Sequence, residues 1–311
     1  MAVAADAVQL ETRSWFHRNQ QAIAPWLFLA PGVLFFLFYV IFPIFQSFNI
    51  SLYEWDGLGE AEFIGLRHYE DLYWEFADRD AFFVSLKNNL LWLLLYLLAI
   101  PAGLFIALFL NQTVVGIRLY KSLFFFPFVI SQVVVGLVFT WFYDPTFGLL
   151  NTMLGWVGLG PINVLGDERF VTYGIILAGL WPQTAYCMIL YLTGLNAVDP
   201  EQIEAGRLDN AKGWKMLWYI IIPQLKPATF IAFVVTIIGA LRSFDFIAVM
   251  TQGGPFGSSR VLAFYMFEVA LSEYGFRMGY GAAIAVVLFL IMLCFIAYFL
   301  WSMYRDQKGG R

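Results

Sequence analysis

Six apolar runs, each long enough to cross a lipid bilayer, constrain this chain more than any other feature. They cover residues 25–48, 84–110, 122–143, 170–192, 229–250 and 279–303. A soluble core seldom needs several such runs. Hydrophobic types make up 61% of the chain and charged types 13%, where soluble domains carry about 25% charged residues. In hydrocarbon every backbone N–H and C=O must find its partner within the protein, so spans of this length are helices. The expected fold class is an all-α polytopic membrane protein with six transmembrane helices.

Pro31, Pro43, Pro101, Pro127 and Pro182 fall inside the runs. Each removes a backbone donor and kinks a helix, and neighbouring helices must satisfy the freed carbonyl, which predicts a packed bundle. Ala99, Gly103 and Ala107 form a small-residue face in the second run, open to close approach by another helix. Cys187 and Cys294 each sit within an apolar run and read as packed small hydrophobes, not as a disulfide. The opening 23 residues are polar and include acids, which suits a retained tail better than a signal peptide.

With an even number of spans both termini share a side. That side holds Arg13, Arg18, Arg118, Lys121, Arg207, Lys212, Lys215, Lys226, Arg305, Lys308 and Arg311, 11 basic residues in all. The opposite side holds six: Arg67, Arg79, Lys87, Arg169, Arg260 and Arg277. The positive-inside rule places both termini in the cytoplasm. The first outer loop is acidic between Glu54 and Asp80, and its "EFIGLRHYEDLYWEF" predicts a short helix at the outer surface.

The segment "LNAVDPEQIEAGRLDNAKGWKMLWYIIIPQLKP" is long for a link between spans. Asp199 suits an N-cap, Pro200 the first helical position and Gln202 the reciprocal position of a capping box. A helix over 200–208, a turn at Asp209, Asn210 and Gly213, and a second amphipathic helix from Trp214 ending before Pro223 follow. On spacing alone the pair either anchors the bundle at the interface or offers Glu201, Glu204, Arg207 and Asp209 to a cytoplasmic partner.

Several chemistries are absent. The chain has no G-x-x-x-x-G-K-[ST] phosphate loop, no H-E-x-x-H, no G-x-S-x-G and no basic tract for nucleic acid. His17 and His68 are too far apart in sequence to start a zinc site. A membrane translocation role fits better than an enzyme, either passive or with energy drawn from a partner or a gradient.

The 199–223 loop resembles that of the inner-membrane permeases of sugar-type ABC importers, the maltose and glycerol-phosphate permease class, whose loop reads E-A-A-x3-G-x9-I-x-L-P. The matching positions are Glu204, Ala205, Gly206, Asn210, Ile220, Ile222 and Pro223. Gly206 replaces an alanine, Asn210 a glycine and Ile222 a leucine. Asn tolerates left-handed geometry, so the turn is expected to survive. "LYKSLFFFPFVISQVVVGLVFTWFYDPTFGLLN", "SFDFIAVMTQGGPFGSSRVLAFYMFEVAL" and "GYGAAIAVVLFL" resemble the same class, from about Trp26 to the C-terminus.

The resemblance implies the type I importer permease fold in a bacterial inner membrane, with alternating access as the mechanism. The organisation is then a tail at 1–23, the first span and outer loop at 24–83, a permease core at 84–303 with the coupling loop at 199–223, and a tail at 304–311. It further implies a second homologous permease, two copies of a cytoplasmic ATPase that alone uses ATP and Mg2+, and a periplasmic carbohydrate-binding protein. This chain binds no cofactor or metal. Glu201, Glu204, Ala205, Arg207, Asp209 and Asn210 would meet the ATPase, and Gly253, Gly254 and Pro255 would shape an outer turn near the binding protein. The cargo would be a carbohydrate or sugar derivative, with a polyol phosphate such as glycerol-phosphate the alternative. An ion-coupled secondary transporter is the rival from another class.

Arg242 and Asp245, three residues apart in the fifth run, are expected to share a helix face. Charges at such depth pair, line a polar cavity or snorkel to the surface, and the spacing leaves these open. Gln132, Trp141, Trp181, Gln183, Thr184, Tyr186 and Tyr191 supply the aromatic faces, amides and hydroxyls that bind sugars. Trp181 and Gln183 flank Pro182, where a kink can open a pocket. Belt positions at the interface are the other reading of the aromatics.

Overall fold

The computed structural model describes residues 20–112, 115–272 and 276–309; the polar tail with Arg13, His17 and Arg18, like Arg311, lies outside them. The chain divides into two compact units after Ile50. The first is a single helix, α1, built from Gln20–Phe36, a π-turn at Leu37–Ile41 and Phe42–Ile50. The π-turn ends two residues before Pro43, and the widened ladder suits a residue without an N–H. The most apolar stretch of Ala24–Ile50 buries none of its residues.

The second unit opens with a hairpin of Tyr53–Glu54 (β1) and Glu62–Phe63 (β2), paired antiparallel. Asp56 shapes its turn by accepting the N–H groups of Leu58 at 2.9 Å and Gly59 at 2.8 Å. Those bonds, Gly59 first, hold its carboxyl below the ordinary carboxylate range. The expected surface helix follows at Arg67–Trp74 (α2). Then come Phe76–Tyr96 (α3), Ala99–Leu110 (α4), Ile117–Val129 (α5), Gln132–Phe142 (α6), Leu149–Trp156 (α7) and Val171–Asn196 (α8). Pro200–Leu208 (α9) and a composite helix α10 form the next link; α10 joins Trp214–Met216, a π-turn at Leu217–Ile221 and Ile222–Gln224. Lys226–Leu241 (α11), Asp245–Met250 (α12), Leu262–Leu271 (α13) and Met278–Gly309 (α14) complete the chain.

Among the described residues four helices are long and apolar enough to cross a membrane, and six spans result if each of two bent pairs counts as one. Two of the expected spans are broken outright into separate helices. The third run bends by 98° between α5 and α6. Ile130 and Ser131 adopt extended geometry there, and the Ser131 Oγ accepts the Val134 N–H at 3.3 Å, capping α6. The fifth run ends as a helix at Leu241, and α12 restarts at Asp245. At the loop end of this span, α10 and α11 meet at 69°.

The core runs along α8. Ala99, Gly103 and Ala107 on α4 are all buried, in a cluster with Cys187, Met188 and Tyr191 of α8, so the small-residue face is a real helix contact. Trp92, Ile175, Ile176, Ile237, Phe246, Tyr280 and Ile284 form a second cluster. Buried amides of α3 tie in the segment before α13. Asn88 Nδ2 donates to the Ser258 and Arg260 carbonyls at 2.7 Å each, and Asn89 Oδ1 accepts the Leu262 N–H at 2.8 Å. Cys187 is buried as expected, but Cys294 is exposed on α14, the face a span turns to lipid or to another subunit.

Candidate functional site

A cavity of about 470 Å³ opens between α6, α8 and α11. Tyr96, Gln132, Gln183, Tyr186, Arg242 and Asp245 supply its polar groups, and Phe128, Pro182 and Gly239 complete much of its wall. The breaks in the spans build it. The α5–α6 corner sets Gln132 at the first position of α6, and the α11–α12 break delivers Arg242 and Asp245. Gln183 is held by a 2.9 Å bond from its Nε2 to Thr236 Oγ1 on α11. Tyr186 stacks on Phe128 with ring centroids 5.0 Å apart.

Arg242 and Asp245 do not share a helix face. Arg242 caps the end of α11 and Asp245 starts α12, with Ser243 and Phe244 between. Neither enters an ion pair among the described residues; both side chains are exposed toward the cavity. The break has a local cause in Ser243, whose hydroxyl returns to the Gly239 and Ala240 carbonyls at 3.2 and 2.7 Å. Asp245 then sits in the first turn of a helix, where a negative charge is favoured.

Of the other sugar-type candidates, Trp181 and Thr184 turn away. They line a separate groove of about 750 Å³ with Leu123, Phe139 and Leu177, almost wholly apolar. The helical period separates them from Gln183 and Tyr186, which sit on the other face of α8. Trp141 is exposed, and Tyr191 is buried with its hydroxyl on Thr229 Oγ1 at 3.2 Å. Tyr96 was not singled out from the sequence; it reaches the wall beside Gly179, where a Cβ would strike its hydroxyl.

The loop after α8 forms the expected helix-turn-helix. Asp199 caps α9 by accepting the Glu201 N–H at 2.9 Å, and Pro200 opens the helix. Gln202 does not complete a capping box. The Asp199 N–H is instead taken by Gln224 Oε1 at 2.9 Å, from the far end of the second helix. That helix runs through Pro223 to Gln224, because the π-turn just before the proline widens the ladder around its ring. Asn210 takes the left-handed conformation at φ 59°, as a glycine would. Gly206 is buried, and a Cβ there would press on Ile220 Cδ1, the movable tip of that side chain. Glu201, Glu204, Ala205, Arg207, Asp209 and Asn210 are all exposed, and Leu208 beside them is 89% exposed.

Gly253, Gly254 and Pro255 form a tight turn after α12. Gly253 has φ +81°, and its backbone approaches Phe264 so closely that a Cβ would lie 2.7 Å from the ring. Ser259 Oγ bonds the Gly254 carbonyl at 2.6 Å, and Phe256 stands 95% exposed at the tip.

Comparison with known proteins places this architecture. Residues 72–304 match the family described as binding-protein-dependent transport system inner membrane component. A probable ABC transporter permease protein of Pyrococcus horikoshii is 35% identical over 286 residues, 91% of this chain and 96% of that protein. The arabinooligosaccharides transport system permease protein of Bacillus subtilis is 33% identical over 276 residues, 87% of this chain and 85% of that one. Among solved structures, a chain of a bacterial ABC transporter that imports the acidic polysaccharide alginate aligns with a TM-score of 0.80 at 21% identity, covering 93% of this chain and 98% of that chain. That likeness is one of fold, the type I importer permease. The polytopic α-helical fold, the broken spans and the exposed loop helix are therefore those of a permease subunit, and this chain belongs to the family of binding-protein-dependent transport system inner membrane components.

Proposed function

We propose that this subunit translocates a carbohydrate or sugar derivative delivered by a periplasmic binding protein. The observation that carries the reading is the cavity itself, which combines two amides, two tyrosines, an arginine and an aspartate in one polar wall. Sugars are bound by such mixtures of hydrogen-bonding groups and aromatic faces. The arabinooligosaccharide permease supports the substrate class through its 33% identity. Gln132, Gln183, Tyr186, Arg242 and Asp245 are the proposed substrate contacts, with Tyr96 added; Trp181 and Thr184 stand outside the polar wall.

In this reading the exposed face of α9, from Glu201 to Asn210, receives a cytoplasmic ATPase, and both termini lie in the cytoplasm. The functional unit pairs this chain with a second permease and two ATPase copies, and Mg2+ and ATP bind to the ATPase. Gly253, Gly254 and Pro255 shape the surface offered to the binding protein. Closure of the ATPase pair displaces α9, and the spans switch between inward and outward openings. A polyol phosphate is the second reading, favoured by the Arg242 guanidinium at the cavity, which makes no ion pair among the described residues and suits phosphate oxygens.

Co-expression with the ATPase, partner permease and binding protein, followed by uptake in vesicles, tests the proposal. ATP-dependent uptake of the sugar carried by the binding protein is expected. Uptake that ignores ATP and collapses with the proton gradient would overturn it.

A further inference from the structure

Gln224 joins two elements that the sequence separates by 25 residues. It is the last residue of α10, at the 69° corner where α11 begins. Its carboxamide oxygen accepts the Asp199 N–H at 2.9 Å, and its carboxamide nitrogen donates to the Ile220 carbonyl at 3.1 Å. The first bond satisfies the backbone of the α9 cap residue. The second fixes the amide orientation, since only one face of a carboxamide can accept while the other donates. The side chain is part-buried, so water replaces these bonds less readily than on an open surface.

We infer that Gln224 is a positioning residue that locks the start of α9 to the foot of α11, so that displacement of α9 reaches the substrate cavity. The inference rests on the proposed reading of α9 as the ATPase contact. α9 is also linked to α8 by the stretch Ala197–Val198 and to α10 by the packing of Gly206 against Ile220, and Val198 and Ile203 pack in the apolar cluster that includes Leu225 and Ala232. Apolar packing can slide, whereas the Gln224 bond fixes the cap residue of α9 at one point on the foot of α11. Beyond Gln224 the route is stiff. Leu225 is buried, and α11 is a continuous helix of 16 residues, about 24 Å long. Side-chain bonds couple it to α8 at Tyr191–Thr229, Gln183–Thr236 and Cys187–Thr236. Its far end bears Gly239 and Arg242 on the cavity wall.

The test uses the assembled importer in proteoliposomes with its binding protein, reading substrate moved per ATP hydrolysed, basal ATP turnover and ATPase retention. Gln224→Leu removes both bonds at similar size. It should retain the ATPase and basal turnover while substrate moved per ATP falls at least fivefold. Gln224→Glu keeps an acceptor for the Asp199 N–H and should recover part of that ratio. Normal coupling in Gln224→Leu overturns the inference. So does loss of the ATPase from both variants alike, which would make Gln224 a folding residue. Glu204→Lys, measured beside them, separates the two claims: if it leaves ATPase retention and stimulation normal, the reading of α9 fails; if it impairs them while Gln224→Leu moves as much substrate per ATP as the parent, only the role of Gln224 fails.

Discussion

Gly103 on α4 lies against the backbone of Met188 on α8, so close that a Cβ at residue 103 would stand 2.7 Å from the Met188 amide nitrogen and 2.6 Å from Cys187 Cβ. Backbone cannot swing aside as a side-chain tip can. Gly103→Ala should therefore cost about 1–3 kcal/mol through forced separation of the helices. Thermal unfolding in detergent measures it. Ala102→Leu, on an exposed turn of the same helix, should change stability by less than about 0.5 kcal/mol.

The missing ion pair between Arg242 and Asp245 changes what their substitution should do. Had they been mutual partners at depth, removing one would have stranded the other and harmed folding. Both instead face the cavity, so Arg242→Ala and Asp245→Asn should express and unfold like the parent protein. Transport should suffer, with KM raised about tenfold or more, the scale of a lost hydrogen bond to a charged group. Uptake kinetics beside melting curves check this. Destabilisation with normal KM would return the two residues to a structural role.

The membrane orientation is open to a direct chemical test. Leu208 in the α9 loop and Phe256 at the turn after α12 are 89% and 95% exposed. In a Cys294→Ser background, Phe256→Cys should react with an impermeant thiol reagent in intact cells. Leu208→Cys should react only after permeabilisation. The reverse pattern would invert the topology argued from the basic residues.

Much of this was legible in the sequence, and what was not has identifiable causes. Run length and hydropathy mark the spans, because a bilayer imposes one length scale on them. Pro127 marked a kink in the third run, but the full breaks at Ile130–Ser131 and Arg242–Phe244 were hidden, since both regions are apolar enough to read as helix and single hydroxyls, on Ser131 and Ser243, sit at the breaks. The α9 cap was visible at Asp199, where the interaction is local. Gln224 was not, because its partner lies 25 residues away and nothing in a local pattern points to it. The same limit applies to the cavity. Gln183 and Tyr186 were separable from Trp181 and Thr184 only once the neighbours of α8 were known.

The central claim is that the exposed face of α9 couples this subunit to an ATPase, and Glu204 tests it most directly. Glu204 is exposed in mid-helix, is not the cap and makes no ion pair among the described residues. Its replacement should alter folding by less than about 0.5 kcal/mol. An interface carboxylate facing a charged partner can matter by about 2–5 kcal/mol. The measurement is pull-down of the ATPase by the detergent-solubilised Glu204→Lys complex, with ATP turnover stimulated by the binding protein read on the same preparation. The account predicts normal membrane insertion with ATPase association or stimulation reduced at least tenfold; parental association together with parental stimulation would contradict it.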